Sequence, residues 1–198
     1  MKLLIISRRL NLEQSAPKCN LHLALALSTK GVEVHILTSH IAEEARLLID
    51  KSKVRIHPVH KVFTQKFIAP ASSSIIAMLI KNKICAEVVL GNGYTIGTDI
   101  SWCHFPRLAY IKRLQQIGLH YFARLKFEGF IEKYIFTSSK ALLAPSNTVA
   151  NDLRKVYNLN NKEIIILPHG VDTHYYKPLS EQQRKEIKRK LGFPDKVI

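Results

Sequence analysis

Cysteine is scarce in this sequence, acidic residues are half as numerous as basic ones, and no long apolar run occurs. The three cysteines, Cys19, Cys85 and Cys103, are far apart and form no C-x-x-C pair. That excludes a disulfide framework or a zinc knuckle and fits a reducing cytoplasm. No stretch approaches the ~20 apolar residues that a membrane span needs, and "MKLLIIS" runs into Arg8 and Arg9 too soon for a signal peptide. Membrane contact is therefore expected to be peripheral. The nine histidines include His57 with His60 and His169 with His174, but no H-E-x-x-H helix or cysteine pair accompanies them, so no metal site is expected. A dinucleotide loop is also missing. "GNGYTIG" spaces Gly91, Gly93 and Gly97 as G-x-G-x-x-x-G, and Asp99 with another strand follows rather than a helix, so these glycines read as a turn.

The chain has 198 residues, 46% of them apolar, and a mean hydropathy of −0.02, enough to bury one domain or one domain with an extension. Lys and Arg outnumber Asp and Glu by 30 to 15, for a formal charge of +15. Solubility does not require so much, and an anionic partner is implied: nucleic acid, anionic lipid or a phosphorylated small molecule. The excess is patterned. Seven basic residues and no acidic one lie between Lys51 and Ala86, and five with no acidic one between Ile100 and Phe127.

Short β-rich runs at about 2–7, 32–38, 53–59, 86–91, 99–105, 141–146 and 163–168 alternate with helix-length segments at about 21–30, 42–50, 74–81, 108–117, 121–136 and 148–157. Strands that alternate with helices imply right-handed crossovers and a parallel sheet covered on both faces, the doubly wound Rossmann-like α/β class. In the tail, Ser180 with Gln183 makes a capping box and Gly192 with Pro194 a stop signal, so one more helix is expected before "DKVI" opens a new strand. That pattern reads as the start of a second domain, with a lone edge strand as the alternative.

In open α/β sheets, ligands collect beyond the carboxyl ends of the strands. The loop after the first strand, "SRRLNLEQSAPKCN", brings Arg8, Arg9 and Lys18 there, either to meet phosphate or simply to be solvated. "TDISWCHFPR" sets Asp99, His104 and Arg107 around a strand and its end. A histidine in such a place can orient or deprotonate a hydroxyl, or pair with backbone. In "RLAYIKRLQQIGLHYFARLKF", Leu108, Ile111 and Leu114 form a helical stripe, while Lys112, Arg113, Arg124 and Lys126 are interleaved with Tyr121, Phe122 and Phe127. This suits an anionic membrane surface, and equally a packed helix with a solvated basic face.

"LPHGVDTHYYKP" resembles the stretch closing the first domain of family 4 retaining glycosyltransferases, which show Pro, a variable residue, Gly-Val-Asp, three more, an aromatic, one more and Pro. Pro168, Gly170, Val171, Asp172, Tyr176 and Pro178 match. Upstream, "ALLAPSNTVANDLRKVYNLNNKEIIILP" is similar to the family's approach of strand, serine, helix and strand, with Ser146 at the serine. "GNGYTIGTDISWCHFPRLAYIKR" looks most like the branch that adds sugars to lipopolysaccharide core or other membrane-bound glycolipids.

The resemblance implies one half of a two-domain GT-B enzyme. Residues 1–178 would be the acceptor-side domain, and 179–198 a linker helix with the first residues of a donor domain. His104 and Asp99 would be catalytic. Arg8, Arg9, Lys18, Arg107 and Ser146 would contact acceptor or donor, and His169, Gly170, Val171 and Asp172 would border the interdomain cleft. The implied reaction moves a hexose from a nucleotide sugar to a glycolipid or oligosaccharide hydroxyl with retained configuration. The nucleotide sugar is a co-substrate, and no cofactor or metal is expected because cationic side chains and a helix N-terminus offset the leaving diphosphate. Two departures stand out. The Gly-Gly loop of many members is replaced here by "SAPKCN", and the paired glutamates and basic donor-phosphate residues of the second domain are absent from this sequence. The isolated chain is accordingly expected to be inactive, peripheral at the inner face of the membrane, and no nucleic-acid binder. The alternatives are a basic nucleic-acid-binding module or a complete subunit of a split glycosyltransferase.

Overall fold

Period-two alternation along the first strand sets the layers of this protein. In the computed structural model, which describes residues 1–60, 69–93, 95–119, 123–171, 173 and 176–193, β1 spans Lys2–Ile6. Its Leu3 and Ile5 enter one apolar cluster, with Leu21, Ala24, Val34 and Ile36. Leu4 and Ile6 enter another, with Leu37, Ala77 and Val89. Successive side chains of a strand point to opposite faces, so β1 is buried on both sides.

The elements follow in the order β1, α1 (Ser15–Thr29), β2 (Glu33–Thr38), α2 (Glu43–Asp50), β3 (Arg55–Pro58), α3 (Ala69–Ile84), β4 (Val88–Gly91) and β5 (Ile100–Trp102). They continue with α4 (Arg107–Gln116), α5 (Ala123–Ser138), β6 (Ala141–Ala144), α6 (Asn147–Lys155), β7 (Glu163–Ile166) and α7 (Glu181–Lys190). The strands form one parallel sheet in the order β3-β2-β1-β4-β5-β6-β7. The expected doubly wound class is what the chain adopts. A third cluster, Phe136, Leu142, Ala144, Leu153 and Tyr157, fills the β6 side.

Helix α1 begins at Ser15, six residues before the apolar pattern suggested. Pro17 sits in its first turn, where the missing N–H would be unpaired anyway. The capping box of Ser180 and Gln183 is formed at α7, and Gly192, with φ of 70°, follows that helix. The chain divides into two compact units, Met1–Pro168 and His169–Ile198. The first contains the whole sheet, and the second contains α7.

Strand order reverses between β1 and β4: the chain runs outward from β1 to β3, then returns to the other side of β1. This switch point opens a crevice at the carboxyl ends of β1 and β4.

Candidate functional site

Around the switch point the backbone is pinned. After β1, Ser7 Oγ donates to the Arg9 carbonyl at 2.8 Å and accepts from Asn20 Nδ2 at 3.0 Å. The Arg8 carbonyl accepts from Ser39 Oγ at 2.9 Å. Leu10, wholly buried, bridges to Ile41. Arg8 is thus offered half-buried and Arg9 exposed from a fixed loop, while Lys18 lies in the first turn of α1 rather than in the loop.

After β4 the chain turns at Gly93, whose φ is 74°. A Cβ there would lie 3.2 Å from Phe136 and 3.4 Å from Glu132 Oε1, so both conformation and space call for glycine. Gly97, at φ 81°, completes the turn. Asn92 Oδ1 is buried and has no hydrogen-bond donor among the described residues.

After β5 come Cys103 and His104, the histidine ring lying on Trp102 with centroids 4.5 Å apart. Pro106 then precedes α4 and offers no side-chain cap. The cap is supplied from elsewhere. Glu132, on the inner face of α5, accepts from the Arg107 backbone N–H at 3.0 Å, and Tyr157 OH accepts from Leu108 N–H at 2.9 Å. A carboxylate suits the positive end of a helix dipole. Tyr157 OH in turn donates to Glu132, and the Arg107 guanidinium pairs with the same carboxylate. Arg107 Nε also reaches Glu128 at 3.4 Å, and Arg124 Nε reaches it at 3.1 Å. Burial pushes the Glu132 carboxyl up, while Arg107 and Tyr157 favour its charged form. Helices α4 and α5 come close because Gly129 faces Leu108, where a Cβ would lie 2.5 Å from Leu108 Cδ2.

Asp99 is elsewhere. It precedes β5, at the amino end of the sheet, and its carboxylate accepts from Val89 N–H at 3.0 Å, Lys81 at 3.3 Å and Lys140 at 2.9 Å. Burial alone would raise this carboxyl, but Lys140, the Val89 amide and Lys81 hold it below the usual carboxylate range. Five residues of strand-like rise put Asp99 about 16 Å from His104. The structure therefore separates the two residues expected to act together, because in a parallel strand the residue before it and the residue after it sit at opposite ends.

Ser146 is the N-cap of α6, its Oγ accepting from Val149 N–H at 3.3 Å. His169, Gly170 and Val171 are exposed in the second unit, and Asp172 lies outside the described residues. Lys112, Arg113, Arg124 and Lys126 are exposed. Two of them are engaged: Arg113 with Asp152 at 2.6 Å and Arg124 with Glu128. Tyr121 and Phe122 lie outside the described residues. The exposed face of α5 is more aromatic than the sequence reading had it, because Phe127 (54% exposed), Phe130 (64%) and Tyr134 (61%) follow at i, i+3 and i+7. Among the described residues no helix is long and apolar enough to cross a membrane.

Sequence reasoning also missed Glu128, Glu132 and Tyr157. The available signal was two glutamates four apart on the helical face that carries Leu125 and Phe136.

This architecture has clear counterparts among solved structures. A glycosyltransferase from Rickettsia africae ESF-5 aligns with 99% of this chain and 50% of its own, at a TM-score of 0.60 and 15% identity. WaaG, a glycosyltransferase involved in lipopolysaccharide biosynthesis, aligns over 98% of this chain and 52% of its own, at 0.69 and 16%. TcCGT1, solved in complex with UDP, aligns over 95% and 55%, at 0.53 and 9%. The chain spans about half the length of these proteins, and its fold is that of one domain of the GT-B glycosyltransferases. No curated protein matches significantly. Residues 18–175 match the family model for Glycosyltransferase Family 4, a span that holds β2 to β7 and His104 but not β1 or Arg8, and the chain belongs to that family.

Proposed function

We propose that this chain is the acceptor-binding half of a retaining glycosyltransferase that moves a hexose from a nucleotide sugar to a membrane-associated glycolipid or lipopolysaccharide core. One observation carries the reading: in a sheet of this family, His104 and Arg107 stand at the carboxyl end of β5, beside the switch point that offers Arg8. The acceptor hydroxyl is oriented at His104. The bond from the anomeric carbon to the diphosphate oxygen breaks, and the acceptor oxygen bonds to that carbon on the same face. The hydroxyl proton passes to the imidazole or to the departing diphosphate. Imidazole suits the role because it titrates near neutral pH when unperturbed. Asp99 has no part in this chemistry, since its carboxylate is committed to Lys81, Lys140 and the Val89 amide at the other end of the sheet.

The contact with an anionic membrane, at its inner face, is assigned to the outward side of α4 and α5. Phe127, Phe130 and Tyr134 supply apolar surface there, and Lys112, Arg113, Arg124 and Lys126 supply charge. Donor binding belongs to a second half, so this chain by itself transfers no sugar.

The test uses an enzyme carrying both halves, assayed first with uridine diphosphate hexoses. His104→Ala should lower kcat by about 100-fold or more, the scale of a lost general base, while leaving Tm unchanged. A variant that keeps its rate and loses stability makes His104 only a packing partner of Trp102 and overturns the assignment.

A further inference from the structure

Two histidine rings are hydrogen-bonded to each other at the β3 edge of the sheet. His35 Nδ1 and His57 Nε2 are 2.8 Å apart, and the rings stack with centroids 5.1 Å apart. Leu37 of β2 is in register with His57 of β3, and His35, two residues before Leu37, projects to the same face. His35 is only 2% exposed, and its second nitrogen, Nε2, lies 3.2 Å from Glu33 Oε1. Charged groups reach the pair and its carboxylate from each element around it: Lys2 on β1, Glu33 on β2, Arg55 on β3 and Lys83 on α3. The hydrogen bond from His35, with Lys2 and Arg55 behind it, holds the Glu33 carboxyl below the usual carboxylate range. A carboxylate only accepts, so His35 Nε2 donates to Glu33. The bond between the rings then contains one hydrogen. It survives one added proton, because an imidazolium on either ring still donates to a neutral partner. A second proton sets N–H against N–H and places two positive rings side by side, near Arg55 and Lys83. Burial first, then His35, Lys83 and Arg55, accordingly hold His57 below the usual histidine range.

We propose that this pair is an acid-sensitive latch on the edge of the sheet: the folded protein accommodates one added proton on the two rings and the released strand accommodates two, so mild acid frees β3 from β2. Strand β3 has four residues and a single neighbour, so it can open without the rest of the sheet, and its release uncovers the backbone edge of β2. In the released chain both rings titrate independently near about 6.5. Below that value the released form binds one more proton than the latched form, and release is favoured by up to about tenfold for each unit that the pH falls. Glu33 stays charged across this window, since its folded value is lowered and its support is lost only below about pH 4. The latch is independent of the sugar chemistry proposed for the crevice.

The test is amide hydrogen exchange of the 198-residue chain, read by mass spectrometry as protection factors in the wild type and in His57→Gln. A glutamine amide both donates and accepts but takes no proton, so it can bond His35 in either state of that ring. Between about pH 7.5 and about pH 5.5, protection over residues 54–59 should fall about tenfold in the wild type and less than about threefold in His57→Gln. At both pH values those residues should be less protected than residues 2–6 of β1, as local release requires. The proposal is overturned if the wild-type strand keeps its protection in acid, or if His57→Gln loses as much as the wild type. It is equally overturned if residues 54–59 are as protected as β1, because β3 then leaves only when the whole sheet unfolds. Should His57→Gln already loosen β3 at about pH 7.5, ring-nitrogen NMR of the wild type decides. The folded protein at about pH 5.5 should carry no more than one added proton on the two rings, and two cationic rings with β3 still protected would overturn the latch.

Discussion

Replacing Glu132 by alanine removes one carboxylate and leaves three donors without it. The Arg107 backbone N–H, the Arg107 guanidinium and Tyr157 OH all give hydrogen bonds to that group. The Arg107 side chain is only 11% exposed, and its remaining partner Glu128 is 3.4 Å away and shared with Arg124. Water cannot readily replace what is lost. Removing one member of a buried pair typically costs about 3–5 kcal/mol, a large part of the ~5–15 kcal/mol that holds a domain together. At about 2–4 °C per kcal/mol for a chain of this size, Tm should fall by about 6–20 °C. The assay is urea unfolding followed by far-ultraviolet circular dichroism, run as a cycle with Arg107→Met. Because the two side chains touch, the double variant should be more stable than additivity predicts, by about 0.5–3 kcal/mol. A loss below about 1 kcal/mol for Glu132→Ala, together with an additive cycle, would refute the idea that this carboxylate caps α4 and fixes the chain beside His104.

Asp99→Asn should cost about 1–3 kcal/mol at neutral pH, the scale of hydrogen bonds to a charged group, discounted because Lys140 is mostly solvated. The folded state lowers the Asp99 pKa, so its contribution is complete above the unfolded value near about 4 and vanishes as pH falls further. Wild type and variant should therefore converge in stability toward pH 2. A gap that persists there would remove the ionic account. Glu132, raised by burial, acts with the opposite sign, favouring the fold most at acid pH. At the surface, replacing Lys112, Arg113, Arg124 and Lys126 by glutamine should weaken cosedimentation with anionic vesicles at near-physiological salt, while Phe130→Ser should weaken it without changing the salt dependence. Unchanged vesicle binding in both variants, or tight sequence-dependent binding of nucleic acid instead, would dismiss the lipid surface.

The inner strands were legible because strands buried on both faces are written as near-continuous aliphatic runs, as in "LLII" and "VHIL", and the edge strand "EIII" carries the same signal although its residues are half-buried or exposed. Their order, and hence the switch point at the carboxyl ends of β1 and β4, is not written in any local pattern. Helix α1 starts six residues before its apolar pattern, and the first turn of a helix tolerates Pro17. The division of labour in "TDISWCHFPR" was open to inference in principle: strand direction alone sends Asp99 and His104 to opposite ends. It was missed because proximity in sequence suggested proximity in space.

The glutamates show a different limit. In sequence, Glu128 and Glu132 read as surface residues of a basic helix and make α5 look less strongly charged. In the fold Glu132 is buried and spent on Arg107, while Glu128 is shared between Arg107 and the outer cation Arg124. The outer face then keeps Lys126 beside Phe127, Phe130 and Tyr134. One structural commitment, the capping of α4 from α5, thus withdraws the Glu132 carboxylate from the outer face. The proposed lipid surface is in part a consequence of where that carboxylate went, and this is why Glu132 is the residue whose removal should be felt furthest from its own position.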